Sequence, residues 1–272
     1  NLDSIYPLAE LLFDENFKLY NINEAINLCE KGISLGQYDC AYLLGYAYDY
    51  GKGVDVNKDL AKENYQICIN NSQNQELISN SKFELAGILW REASDQCDMN
   101  SIIKLYEDAI NNNNYKAMYI LGDKYYSGDK IEQDYDLAMF YFRMAARFNY
   151  GKAEFNIGKM YEEGLGCIKN YIKSIDWYKL AFTHGELEAA ISVADVFMTI
   201  KDFNTAFKLY NTAYEYYGDK IDAAVLMMKI GFLYIHGLGV DKNKDKGLEW
   251  LNRAINTGNK SVIKVIEEEF NI

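Results

Sequence analysis

Proline occurs once in this chain, at Pro7, so almost nothing in it breaks a helix from within. Histidine occurs twice, at His184 and His236, with no Cys or His cluster nearby, and a zinc site is not expected. Basic residues are in deficit: 28 Lys and Arg against 40 Asp and Glu leave a formal charge of −12. Nucleic-acid backbones and anionic membranes recruit clustered Lys and Arg, so neither is expected as the main ligand. A basic protein partner fits the charge. No apolar run approaches the roughly 18 residues of a membrane span. The five cysteines are an odd number without paired spacing, which points to reduced, buried thiols and a cytosolic setting. The chain opens on Asn1 instead of methionine, as a fragment or processed form does, so a missing signal peptide carries no information.

What is present is a folded-protein share of apolar residues, 49%, with abundant Ala, Leu, Ile, Lys and Glu that favour helix. It is arranged as a repeat. "YLLGYAYDYGKGV" (Tyr42–Val54) recurs as "YILGDKYYSGDKI" (Tyr119–Ile131), "FNIGKMYEEGLGC" (Phe155–Cys167) and "MKIGFLYIHGLGV" (Met228–Val240). Degenerate copies stand at Glu84–Trp90 and Ser192–Phe197, and a weaker one starts at Ala9. The small anchors are Ala9, Gly45, Gly87, Gly122, Gly158, Ala194 and Gly231, spaced 35 to 42 residues apart. A second motif follows each anchor: "AKENYQIC" (Ala61–Cys68), "AMFYFRMA" (Ala138–Ala145), "SIDWYKLA" (Ser174–Ala181), "AFKLYNTA" (Ala206–Ala213) and "GLEWLNRA" (Gly247–Ala254), with Ala25–Gly32 and Ile102–Ala109 in the same frame. A small residue, bulky residues three and four on, and a small residue at seven is helical spacing. Each unit is therefore two helices, A and B, neither of which can bury its apolar stripe alone, so units must stack.

These motifs resemble the Sel-one-like repeat family, a relative of the tetratricopeptide repeat, from about Ser4 to Gly258. The units anchored at Gly87 and Ala194 lack the Gly-x-Gly and look like plain tetratricopeptide units. The expected fold is an all-α, right-handed α-α superhelical solenoid of about seven two-helix repeats in a single domain. Its units span about 4–37, 38–78, 79–114, 115–150, 151–186, 187–218 and 219–258, with 259–272 as a C-terminal capping helix. The 42-residue spacing traces to the polar stretch Asn70–Ser81, read as a mobile insertion tolerated by the array.

The same residues exclude several chemistries. Gly51-Lys52-Gly53 lacks the preceding strand and third glycine of a dinucleotide fingerprint; between two helices, glycine is a helix terminator. Asp55-x-Asn57-x-Asp59 and Asp241-x-Asn243-x-Asp245 open like a calcium loop, but Leu60 and Lys246 hold its glycine position, and Gln66 and Asn252 its glutamate. Asn57, Asp134, Asn170 and Asn243 instead stand where a helix-B cap is needed. Cys29, Cys40, Cys68 and Cys167 fill slots taken by ordinary residues in other units; Cys97 stands in an interhelix loop. Ser-x-x-Lys at Ser79, Ser101 and Ser261 lacks the partner motifs of β-lactam hydrolases, an activity associated with some relatives. No catalytic constellation, cofactor or metal is expected.

The resemblance implies that helix A lines the concave surface. Helical geometry then puts on one face Tyr42, Tyr46, Asp49 and Tyr50, followed by Glu84, Ile88, Arg91 and Glu92, and by Tyr119, Asp123 and Tyr126. Phe155, Lys159, Glu162 and Glu163 come next, then Asp195 and Met198, then Phe232, Ile235 and His236. This aromatic, acidic face predicts a non-catalytic interaction scaffold that holds a protein or peptide with basic and apolar groups. An immunity or inhibitor protein masking a basic toxin or enzyme is the more specific alternative. A hydrolase or peptidoglycan-fragment-binding protein is the alternative from another class, on family grounds.

Overall fold

The computed structural model describes residues 4–18, 20–94, 99–217 and 223–270; Cys97 lies outside the described residues. Among these the chain is all-α, with fifteen helices and no strand. In chain order they are α1 (Ile5–Phe13), α2 (Ile22–Ser34), α3 (Cys40–Tyr50), α4 (Lys58–Asn71), α5 (Gln75–Glu92), α6 (Met99–Ile110) and α7 (Tyr115–Ser127). They continue as α8 (Tyr135–Ala146), α9 (Gly151–Glu163), α10 (Tyr171–Thr183), α11 (Ala189–Thr199), α12 (Phe203–Tyr217), α13 (Ala223–His236), α14 (Lys244–Ile255) and α15 (Lys260–Phe270). Odd-numbered helices carry the anchor motif and even-numbered ones the second motif, until α15 closes the series.

Two compact units divide the chain between Asp134 and Tyr135. In the first, α1 to α7 pack each on the next; in the second, α8 to α15 do the same, and α15 also touches α13. The bulky slot four residues into each helix-B motif supplies the core. Tyr65, Tyr106, Phe142, Tyr178 and Tyr210 occupy it and are all buried, as are Cys29 and Leu251.

The joints between helices follow from local chemistry. Gly51, Gly128, Gly164 and Gly237 take positive φ and end α3, α7, α9 and α13. Asn57, Asn170 and Asn243 each accept a bond from the amide three residues on, at 3.1, 3.0 and 2.9 Å, capping α4, α10 and α14. The backbone N–H of these three and of Asp134 bonds the carbonyl of the tyrosine nine residues back: Tyr48, Tyr161, Tyr234 and Tyr125.

The stretch Asn70–Ser81 is not a mobile loop. Asn70 and Asn71 end α4, and α5 begins at Gln75 with its N-terminus capped by Asn74. Leu77, Ser79 and Ser81 are buried, and the Ser79 hydroxyl donates to the Ala109 carbonyl at 3.0 Å. The extra residues lengthen α5 to 18 residues, with Leu77 and Ser81 one turn apart and Ser79 turned toward α6.

Candidate partner-binding site

In the first unit the aromatic face is built on α3. Tyr46 and Tyr50, one turn apart, stack with ring centroids 4.5 Å apart, and Phe13 meets Tyr46 edge-on at 6.2 Å. Tyr42 packs on the buried Tyr65 ring at 6.2 Å. Tyr50 is exposed, and its hydroxyl donates to Glu84 on α5 at 3.0 Å. Burial pushes the Glu84 carboxyl above its ordinary range, opposed by the Tyr50 bond and assisted by the nearby Asp49 charge. Burial likewise pushes the phenol of Tyr50 up, with Glu84 adding to it.

Asp49 does not stand on that surface. Its side chain is fully buried, paired through Oδ1 to Lys58 and, at 3.5 Å, to the exposed Arg91. Its Oδ2 and the hydroxyl of Tyr65 are buried without a hydrogen-bond partner. Ile88 is core. Lys58 and Arg91 thus pair with a buried Asp49 whose charge acts on Tyr50 and Glu84 beside it.

On α7, Tyr119, Asp123 and Tyr126 are half-buried. Burial raises the Asp123 carboxyl; Lys124 opposes this and Asp129 adds to it. The C-terminal end of α5 is tied to this region. Trp90 donates its indole N–H to Asp129 at 3.0 Å, and Lys130 donates to the Trp90 and Ala93 carbonyls at 2.7 and 2.9 Å.

In the second unit the corresponding residues form two clusters. Phe155 packs on Tyr178 at 5.2 Å, and the Tyr178 hydroxyl donates to Glu162 at 2.7 Å, with Lys159 half-buried and Glu163 exposed on the same helix. Farther along, Asp195 accepts from Tyr210 and pairs with Lys229 at 2.8 Å. Asp195, Met198 and Phe232 line a pocket of about 230 Å³, together with Tyr210, Met228, Lys229, Val265 and Glu269. His236 is exposed and stacks on Phe232 at 4.3 Å, outside that lining.

Sequence reasoning missed the helix-B tyrosines, which it placed in the core. Tyr178 crosses over Gly158 so closely that a Cβ there would lie 2.7 Å from its ring; Tyr65 crosses Gly45 in the same way, at 2.8 Å. The Tyr178 ring is buried while its hydroxyl reaches Glu162 on helix A, whereas the Tyr65 hydroxyl stays buried without a hydrogen-bond partner. The signal was present as a small anchor in one helix matched to a Tyr in the next.

Among the described residues no three His, Cys, Asp or Glu side chains converge as metal ligands would. No described helix is long and apolar enough to cross a membrane. Cys29, Cys40 and Cys68 are free and buried, and Cys167 is free and half-buried.

Helix pairs with a small-residue anchor, glycine caps and a buried aromatic slot define an α-α repeat protein. The Sel1 repeat model matches residues 39–67, 116–147, 151–186, 197–215 and 224–259, and the chain belongs to the Sel1 repeat family. Proteins of this family generally act as scaffolds for other proteins. Among curated proteins, the chain is similar to the ERAD-associated E3 ubiquitin-protein ligase component HRD3 of Candida glabrata, 23% identical over 206 residues. That match covers 72% of this chain and 24% of HRD3. The structure of c5321, a protective antigen of uropathogenic Escherichia coli with an SLR fold, has a TM-score of 0.76 at 21% identity, covering 96% of this chain and 55% of that one. A Sel1 repeat protein from Oxalobacter formigenes gives 0.69 at 23% identity, covering 92% and 96%. The present chain thus spans about a quarter of HRD3 and about half of c5321.

Proposed function

We propose that this protein is a non-catalytic scaffold that captures a partner protein or peptide on its helix-A faces. The supporting observation is the α3–α5 face, where Tyr42, Tyr46 and Tyr50 gather beside Glu84 with Tyr50 exposed. Rigid aromatic rings beside a carboxylate suit a partner offering apolar and basic groups, since aromatics are overused as interface anchors and each costs little side-chain entropy to hold. The HRD3 relative is itself a component of a larger assembly, in keeping with a scaffold role. The buried free thiols fit a reducing, cytosolic setting.

The net charge of −12 favours one narrower form of this reading, an inhibitor or immunity protein that covers a basic toxin or enzyme. Copurification with one basic partner at fixed stoichiometry, with loss of that partner's activity, would mark this form.

The test of the general reading is the triple variant Tyr46→Ala, Tyr119→Ala, Tyr126→Ala. Partner capture in a pull-down read by mass spectrometry should fall at least tenfold while far-UV circular dichroism stays helical. Undiminished capture would sink the assignment of the face.

A further inference from the structure

The pocket between α11, α13 and α15 combines two properties that single out one kind of occupant. Its volume of about 230 Å³ would hold several waters, at roughly 30 Å³ each, or one long side chain. Met198, Met228, Phe232 and Val265 give it an apolar lining, and two methionines let that lining adapt to the group that enters.

The charges at the pocket do not balance. Asp195 is already satisfied, accepting from Tyr210 and pairing with Lys229 at 2.8 Å. The second carboxylate, Glu269, is exposed and has no ion pair among the described residues. Its neighbour Glu268 lies 3.7 Å from Lys264, one turn back on α15. Two carboxylates and one ammonium leave a single uncompensated negative charge at the edge of an apolar cavity.

We infer that this pocket receives an arginine or lysine side chain from the partner. The aliphatic stem would lie on Met198, Met228 and Phe232, and the cationic head would meet Glu269. Long basic side chains are built for this division, with an apolar stem and a charged tip. Arginine is the better fit, because its planar guanidinium pairs with a carboxylate through two bonds and stacks on an aromatic ring such as Phe232. The cavity of about 340 Å³ bounded by Phe182, Val193 and Leu209 offers no such argument, since no carboxylate lines it.

The inference rests on the interaction reading and adds the chemistry of one anchor. The three tyrosines that test that reading lie in the first unit and this pocket in the second, so the two can fail separately.

The experiment is a titration of the full chain, carrying ¹³C-methyl methionine, with acetyl-Leu-Arg-Leu-amide and with acetyl-Leu-Glu-Leu-amide. The arginine peptide should shift the Met198 and Met228 methyl signals saturably, at the millimolar affinity expected of one anchor side chain. The glutamate peptide should leave them in place. Glu269→Lys should weaken the arginine peptide at least tenfold with unchanged circular dichroism, while Glu267→Lys on the same helix should not. Unmoved methionines up to about 10 mM peptide, equal response to both peptides, or indifference to Glu269→Lys would each overturn the inference. Methyl shifts that depend on protein concentration alone would assign the pocket to a second copy of the chain and overturn it as well.

Discussion

Tyrosine fills the helix-B slot in four units, at Tyr65, Tyr106, Tyr178 and Tyr210, and the hydroxyls of three of these do not end alike. Tyr178 donates to Glu162 at 2.7 Å and Tyr210 to Asp195, whereas the buried hydroxyl of Tyr65 has no partner and neither does Oδ2 of Asp49 nearby. A hydrogen bond to a charged acceptor contributes about 1.5–3 kcal/mol, whereas a buried hydroxyl without a partner only costs its desolvation. Tyr178→Phe should therefore lower the urea midpoint by an amount equivalent to about 1–2 kcal/mol, Glu162 recovering part of the loss from water. Tyr65→Phe should leave the midpoint unchanged or raise it slightly. An equal loss in both variants would show that Tyr65 has a partner in solution. That these tyrosines are core residues was legible from their spacing. Where the hydroxyls land was not, because it depends on how closely helix A lies over the ring.

At the scale of the elements, the loop between the helices of a unit is where the repeat is least forgiving. Gly239 has φ +70°, and a Cβ there would lie 2.1 Å from the Phe203 carbonyl oxygen at the start of the previous unit's helix B. Gly166 meets the Tyr135 carbonyl in the same way, at 2.5 Å. Lys130 holds the equivalent position with φ +64°, and its ammonium bonds the carbonyls at the end of α5. A left-handed residue other than glycine costs about 1–3 kcal/mol, and the clash at Gly239 adds to it. Gly239→Ala should lower Tm by about 4 °C or more in a calorimetric scan, at roughly 2–4 °C per kcal/mol for a chain of this size. A shift under about 1 °C would mean that the loop relaxes away from α12. The Gly-x-Gly signature was legible as a helix end. Its second glycine is demanded by a neighbouring unit at Gly166 and Gly239.

For the whole molecule, charge is the property that acts beyond single contacts. On the proposed reading, a net −12 steers a basic partner over distances set by the Debye length, about 10 Å at 0.1 M salt and about 3 Å at 1 M. Raising NaCl from about 0.1 to 1 M should therefore weaken capture of the partner mainly by slowing association, as surface plasmon resonance would read it. A salt-insensitive association rate would mean that the apolar contacts act without electrostatic steering. The sequence by itself determined the repeat, the alternation of A and B helices and their caps, because small–bulky spacing and cap residues are local to each helix. Only the tertiary structure decided which face residues meet solvent and which groups meet one another. Asp49 and Tyr50 are adjacent in the chain, yet one is buried beneath the face and the other exposed on it, since rotation against α4 and α5 settles each position. The pocket at Asp195 likewise exists only because α15 brings Val265 and Glu269 against α11 and α13, and no spacing within one helix encodes that meeting.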